Sequence, residues 1–325
     1  MARKLRLEAE GGIYHVLNRG NYRSHLFRTE RARAAFLGCL DEACGKTGWR
    51  VHAWCVMVNH YHLALETPQA NLREGMRWLQ GTFAMRFNRF RDEHGHLFQG
   101  RYKSLAVEGD GLGALCHYIH LNPVRAKVCT VEGLRNWPWS SYHWLQNPRR
   151  RAHWYQGDAP LTHAGALRDT PAGRSRYAAY LAWLSEDEPG RKALHFDRMS
   201  KGWAIGSTAF KQALVAEHQV ATATLPRRDR ETEQIAGLIW EEALAGLLQQ
   251  LGRQRAELAL AGKSVPWKVA LGAALKQRTT ATNRWLAGNL HLGDPSEVSR
   301  KTNRWLRQPD PKLMRKLGLT PNPMT

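Results

Sequence analysis

The stretch Val58-Asn59-His60-Tyr61-His62-Leu63-Ala64-Leu65 sets two histidines two residues apart inside an apolar run that reads as a β-strand. Side chains alternate across a strand, so His60, His62 and Ala64 share one face and Tyr61, Leu63 and Leu65 the other. The first face can present imidazoles to a common cation, while the second packs into a core. Taken alone, a His-x-His pair suits a solvated sheet face equally well. Val51 to Val58 reads as a preceding strand, and a turn near Asn59 makes the two an antiparallel hairpin at the centre of a sheet.

The second informative segment is Cys116-His117-Tyr118-Ile119-His120-Leu121-Asn122-Pro123-Val124-Arg125-Ala126. Tyr118 and Asn122 are four apart, about one turn on the same helix face, and Pro123 ends or kinks that helix just after Asn122. Packed beside the histidine strand, this helix completes a pocket with two imidazoles, an amide oxygen and a phenol. Two neutral imidazoles and an amide oxygen leave positions on an octahedral divalent ion for phosphate oxygens and water. Asn122 has two readings, third ligand or cap of its own helix end. A tyrosine, with an ordinary pKa of about 10, needs nearby positive charge to act as a nucleophile at neutral pH. Its attack on a phosphodiester leaves a 5′-phosphotyrosine and a free 3′-hydroxyl, and another 3′-hydroxyl can reverse the step without ATP. His117 and His120 point to other helix faces, which suits structural or DNA-contacting roles. Tyr102, in Gly100-Arg101-Tyr102-Lys103, could stack on a base, and Tyr142 reads as packing.

Further blocks accompany these two in a fixed order: Gly12-Ile13-Tyr14-His15-Val16, Asn18-Arg19-Gly20-Asn21, Phe27-Arg28, Val56-Met57, Leu97-Phe98-Gln99-Gly100-Arg101-Tyr102-Lys103 and Trp137-Pro138-Trp139-Ser140-Ser141-Tyr142. Together they resemble the single-tyrosine HUH transposases, and within them the REP-associated tyrosine transposases. The resemblance implies an α+β, ferredoxin-like domain with a central antiparallel sheet. It implies that His60 and His62 are the HUH pair with Tyr61 between them, that Tyr118 is the nucleophile, and that the metal is Mg²⁺ or Mn²⁺. Asn122 falls where insertion-sequence members carry a glutamine, one methylene longer. The resemblance also implies recognition of imperfect palindromes as hairpins, by a monomer or a homodimer.

Composition agrees with a polyanionic partner. The 325 residues carry a formal charge of +20 with 43% hydrophobic residues, a folded basic protein rather than a disordered polycation. Residues 1–150 hold 22 Lys/Arg against 12 Asp/Glu and residues 151–325 hold 26 against 16, so each half carries +10. Arginine, the commoner cation, suits forked recognition of phosphate. Arg19, Arg101 and Lys103 are candidate phosphate contacts, with plain surface charge as the alternative. Five cysteines without a Cys-x-x-Cys pair argue for a reducing compartment. No apolar run is long enough for a signal or a membrane span, so a soluble, cytoplasmic protein is expected.

Helical spacing is expected over Arg28 to Gly45 and Leu72 to Arg91, the latter with Arg73, Arg77, Arg86 and Arg89 between its apolar positions. The catalytic domain is assigned to 1–147, a basic linker to 148–173, a helical region to 174–262 with a break at Pro226-Arg227-Arg228-Asp229-Arg230, and a helix-turn-helix-like region to 263–325. The second half is expected to be all α. In the last region Asp294 reads as an N-cap and Pro295 as the first helical residue. The following helix offers Ser296, Ser299, Arg300 and Asn303 to a major groove, unless the pair is an ordinary helical hairpin.

Three functions follow. The first is a metal-dependent single-strand endonuclease and strand transferase acting on hairpin DNA. The second is a catalytically silent regulator that binds double-stranded DNA through the C-terminal helices. The third is an RNA-binding protein, since a mixed sheet with basic and aromatic residues also suits RNA.

Overall fold

The computed structural model describes residues 7–217 and 230–319. They fall into two compact units, one ending at Ser207 and one beginning at Thr208. The first unit runs β1 (Gly12–Arg19), α1 (Glu30–Thr47), β2 (Arg50–Val56), β3 (His60–Thr67), α2 (Leu72–Arg91), β4 (Lys103–Val107). The strands order as β2-β3-β1-β4, with every neighbouring pair antiparallel. The β1–α1–β2 crossover leaves a slot that β3 fills, giving the expected ferredoxin-like sheet with the β2–β3 hairpin.

Local chemistry sets the helices. Thr29 caps α1 by accepting from the Ala32 amide, and Gly48 ends it in the left-handed conformation at φ 69°. Helix α2 buries Leu72, Met76, Leu79 and Phe83. Its Gly75 lies flat against Trp49, whose ring occupies the space a Cβ would need. Arg73 pairs with Glu8 and Arg86 with Glu42, so these two arginines are held by carboxylates on a solvated face. Phe27, Phe36, Tyr61 and Phe83 interlock at centroid distances of 4.6–6.4 Å, fixing α1 and α2 to the Tyr61 face of the sheet. The opposite face, with Ala53, Cys55 and Ala64, is covered by α3 (Leu112–His120). Because both faces are covered, β3 is buried nearly throughout and has no solvated side.

Residues 148–173 are not a linker. α4 (Asn122–Arg125) and α5 (Ser141–Gln146) lead to a segment in which Trp154 and Tyr155 are buried and Tyr155 bridges Val51 of β2. The Val51 amide donates to Trp154 O and the Gln156 amide to Val51 O, so this segment covers the otherwise open edge of β2. Its basic character is neutralised internally, as Asp169 accepts from Arg151 and Arg174. The unit continues through α6 (Asp158–His163), α7 (Pro171–Glu186) and α8 (Glu188–Ala193) to β5 (Ala204–Ile205). β5 adds in parallel to β4 and closes the other edge, so the expectation of a wholly helical second half fails there. The first unit therefore extends well past residue 147, to Ser207.

The second unit comprises α9 (Thr208–Glu217), α10 (Arg230–Leu251), α11 (Glu257–Leu260), α12 (Pro266–Arg278), α13 (Asn283–Asn289), α14 (Pro295–Arg307) and α15 (Pro311–Lys316). The expected break at Pro226-Arg227-Arg228-Asp229 lies outside the described residues. Lys268 is buried and donates to Leu258 O, Ala261 O and His291 O, tying the turn between α13 and α14 to α12. Asp294 caps α14 through the Ser296 amide, 2.8 Å away, with Pro295 at the first position. Among the described residues, no helix is long and apolar enough to cross a membrane.

Candidate active site

A cleft of about 630 Å³ opens where the ends of β1 and β3 meet α3 and α4. His60, His62, Tyr118 and Asn122 all line it, together with Arg19, Arg101 and Lys103. Strand pairing explains the placement, since Arg19 sits opposite His60 and Leu17 opposite both His62 and Lys103. The two imidazoles lie 5.1 Å apart between centroids, and Tyr118 is edge-on to His62 at 5.8 Å.

His15, to which the sequence reading gave no role, orders this cleft. Its Nδ1 donates to the Met199 carbonyl at 2.6 Å, so in the neutral ring Nε2 is an acceptor. That nitrogen is 2.9 Å from His62 Nδ1, which must then donate and leave a lone pair on His62 Nε2. Asn59 Oδ1 accepts from His60 Nδ1 at 2.6 Å and fixes the same tautomer there. Burial keeps these rings neutral: it lowers His15 and His60 to about 4, with Lys103 and Arg19 adding to the effect, and holds His62 well below the ordinary value.

Tyr118 is nearly buried, and its hydroxyl lies 2.9 Å from Ser200 Oγ. The Arg125 guanidinium sits 4.6 Å above its ring, and Phe196 packs edge-on at 5.5 Å. Arg125 was legible in principle, because it follows Tyr118 by seven residues and Asn122 by three, the same helical face. Between α3 and α4 the chain turns at Leu121 without separating Tyr118 from Asn122. The Asn122 Nδ2 atom is buried with no hydrogen-bond partner among the described residues, so the amide is not spent on a cap.

Tyr102, Tyr142, His117 and His120 are packed inside the fold. Tyr102 and Tyr142 are buried, which removes Tyr102 as a base-stacking surface. His117 and His120 are wholly inaccessible, and both Nδ1 atoms lie 2.9 Å from the Tyr177 hydroxyl. His120 Nε2 reaches Ser141 Oγ, which accepts from the Trp54 amide, so the network rivets α3 and α7 to β2. Tyr177→Phe strips the shared hydroxyl from two buried rings and is expected to cost about 2–4 kcal/mol in urea unfolding. A loss under 1 kcal/mol would show that the network is dispensable.

Acid should loosen the same unit. His15 and His120 are fully buried and held at about 4 and about 3. Above the ordinary value near 6.5 both folded and unfolded chains carry them neutral, and stability is complete. Below it the unfolded chain takes up protons that the fold refuses, so stability falls as pH drops from about 6.5 toward 4. At pH 5 the loss is about 2 kcal/mol per histidine. A urea midpoint unchanged between pH 7.5 and 5 would contradict this.

In the second unit, Ser296, Arg300 and Asn303 lie exposed on α14, with Arg304 and Arg307 beside them. Ser299 does not join them; its hydroxyl accepts from Lys276 Nζ at 3.0 Å and Asn283 Nδ2 at 2.8 Å in the packing of α14 on its neighbours.

Residues 9–122 match the family model described as transposase IS200 like. The matched stretch runs from β1 to Asn122 and so includes His60, His62 and Tyr118. The chain is also similar to the solved structure of a REP-associated tyrosine transposase bound to a REP hairpin, at 18% identity and a TM-score of 0.39, over 49% of this chain and 93% of that one. A second structure, of a transposase candidate from Deinococcus radiodurans R1, is similar at 21% identity and a TM-score of 0.26, over 39% of this chain and 91% of that one. No curated protein matches.

Among the described residues, no three His, Cys, Asp or Glu side chains surround a common point. A cation in this cleft would find the imidazoles of His60 and His62 and the Asn122 amide among its lining groups. The donor set fits a divalent ion, with two lone pairs freed by the tautomers above and an amide not otherwise engaged.

Proposed function

We propose that the first unit is a metal-dependent endonuclease and strand transferase for single-stranded, hairpin-forming DNA, with Tyr118 as the nucleophile. The observation that carries this reading is the meeting of Tyr118 with two neutral, oriented imidazoles in one basic cleft. His60 Nε2, His62 Nε2 and the Asn122 oxygen would hold Mg²⁺ or Mn²⁺. When bound, the ion supplies charge against the phosphate oxygens as the bond order at phosphorus changes.

The protein's own groups do the rest. Arg19, Arg101 and Lys103 draw the phosphodiester into the cleft, and Arg125 adds positive charge beside the Tyr118 ring. The Tyr118 oxygen, hydrogen-bonded to Ser200 Oγ at 2.9 Å, forms a bond to phosphorus and releases its proton to solvent. The bond from phosphorus to the 3′-oxygen breaks, and that oxygen takes up a proton. A 5′-phosphotyrosine and a free 3′-hydroxyl result, ready for reversal by another 3′-hydroxyl.

The polarity of the products tests this. After incubation with magnesium or manganese, the released fragment should be extendable from its 3′-end by a polymerase, while the other fragment stays bound to protein through its 5′-end. Fragments carrying a 3′-phosphate would refute the chemistry.

A second reading concerns the other unit. The exposed face of α14, with Ser296, Arg300, Asn303, Arg304 and Arg307, supports double-stranded DNA binding through a helix-turn-helix. Arg300→Ala with Asn303→Ala should weaken duplex binding and lessen its salt dependence. Unchanged binding would leave α12 to α14 as packing alone.

A further inference from the structure

The stretch that matches the transposase model ends at Asn122, yet the Tyr118 hydroxyl is held from far beyond it. Phe196, Met199 and Ser200, in the segment between α8 and β5, all contact groups of the histidine cleft. Phe196 packs edge-on against the Tyr118 ring, and the Arg125 guanidinium lies over both rings, 4.6 Å from the Tyr118 centroid and 5.8 Å from that of Phe196. Met199 O accepts from His15 Nδ1, Ser200 Oγ lies 2.9 Å from the Tyr118 hydroxyl, and Ser200 O accepts from Lys103 Nζ at 3.0 Å. Side chains of β1, α3 and β4 thus all bind two adjacent residues of one segment.

The segment is fixed at both ends. Before it, the Phe196 amide donates to Arg191 O and the Arg198 amide to His195 O. After it, the Ala106 amide donates to Trp203 O, and Ala204 and Ile205 pair with Ala106 and Val107 of β4. The chain takes left-handed backbone at His195 and Gly202, φ 56° and 80°. At His195, which is not a glycine, such geometry persists only where its surroundings impose it.

These contacts fit a part of the active site better than a cover over it. A segment that had to leave before cleavage would take the Met199 carbonyl from His15, and with it the tautomer that leaves a lone pair on His62 Nε2. The Tyr118 ring is set by His15, His62 and Phe196, but ring packing does not fix the hydroxyl proton or the direction of the oxygen's lone pairs. Its one hydrogen bond among the described residues, to Ser200, does. A serine hydroxyl can accept from the phenol and, once the phenol has lost its proton, turn to donate to the same oxygen. Orientation of this kind is worth much to a displacement at phosphorus, where a misplacement of about 1 Å costs roughly a hundredfold in rate.

We propose that Ser200 is a positioning residue of the cleavage reaction, its hydroxyl fixing the Tyr118 oxygen for attack, and that the segment carrying it completes the active site. The proposal rests on the reading of Tyr118 as nucleophile given above.

The test uses the full chain with Ser200→Ala and Ser200→Thr. Single-turnover cleavage of a labelled hairpin oligonucleotide, at saturating protein with manganese, reads the chemical step, and anisotropy reads affinity. Ser200→Ala should slow cleavage roughly tenfold to a hundredfold with affinity within about twofold, and its urea midpoint should match that of Tyr118→Phe, which loses the same hydrogen bond. Ser200→Thr keeps the hydroxyl and should recover most of the rate. Tyrosine labelled with carbon-13 at Cζ gives a readout that needs no activity: the Tyr118 signal, identified by its loss in Tyr118→Phe, should move in Ser200→Ala and return in Ser200→Thr. An unmoved signal, or a rate that holds or rises in Ser200→Ala, overturns the proposal, and a rise would mean that the hydrogen bond restrains the nucleophile. If the unaltered protein attaches no DNA to Tyr118, the nuclease reading fails by itself, while the labelled signal still decides whether Ser200 holds the phenol.

Discussion

Tyr118→Phe is expected to abolish covalent attachment to DNA and to lower strand cleavage by roughly a thousandfold or more, while leaving DNA affinity within about twofold. The substitution removes one oxygen and little else. The ring keeps its contacts with His15, His62 and Phe196, and the Arg125 guanidinium keeps its place above it. The lost hydrogen bond to Ser200 is part-buried and contributes only about 1 kcal/mol to stability. Gel quantification of cleavage and anisotropy of a labelled hairpin separate the two effects. Cleavage persisting at more than a tenth of the original rate would move the nucleophile elsewhere.

His60→Ala and His62→Ala should each also reduce metal-dependent cleavage by roughly a thousandfold, yet the two should differ in stability. Either change removes one of two imidazole donors, and metal affinity should fall by at least about a hundredfold, as read by titration calorimetry. His62 is buried and is the partner of His15 Nε2, so His62→Ala leaves that acceptor unsatisfied and is expected to cost about 1–3 kcal/mol in unfolding. His60 is only half-buried and bonded to its neighbour Asn59, so its loss should be nearly neutral. Equal destabilisation by both would undo the account of His15 as the group that orients His62.

Local patterns carried much of this into the sequence. The bounds Leu72 to Arg91 are those of α2, although Phe90 at the end of its apolar spacing is exposed, and the Asp294–Pro295 start of α14 is visible because caps are written in adjacent residues. The strand alternation that puts His60 and His62 together, and the four-residue step from Tyr118 to Asn122, depend on periods of two and 3.6 and were equally legible. What stayed hidden depends on contacts between distant segments. His15 meets Met199 across 184 residues, and Tyr118 meets Ser200 across 82. Trp154 and Tyr155 sit among prolines, glycines and arginines that read as a linker, and only the open edge of β2 explains why that segment folds. β5 is two residues long, too short for any periodicity to announce it. Ser299 was misplaced because helix spacing gives a face, whereas the neighbours Lys276 and Asn283 decide which residues turn inward.

The central claim is that Tyr118 attacks DNA. It is tested most directly by incubating the protein with a single-stranded hairpin oligonucleotide and manganese, digesting both polymers, and locating any nucleotide adduct by mass spectrometry. The account predicts a 5′-linked nucleotide on the peptide containing Tyr118, absent when the metal is chelated. An adduct on another residue, or cleaved DNA with a free 5′-phosphate and no adduct, would contradict it.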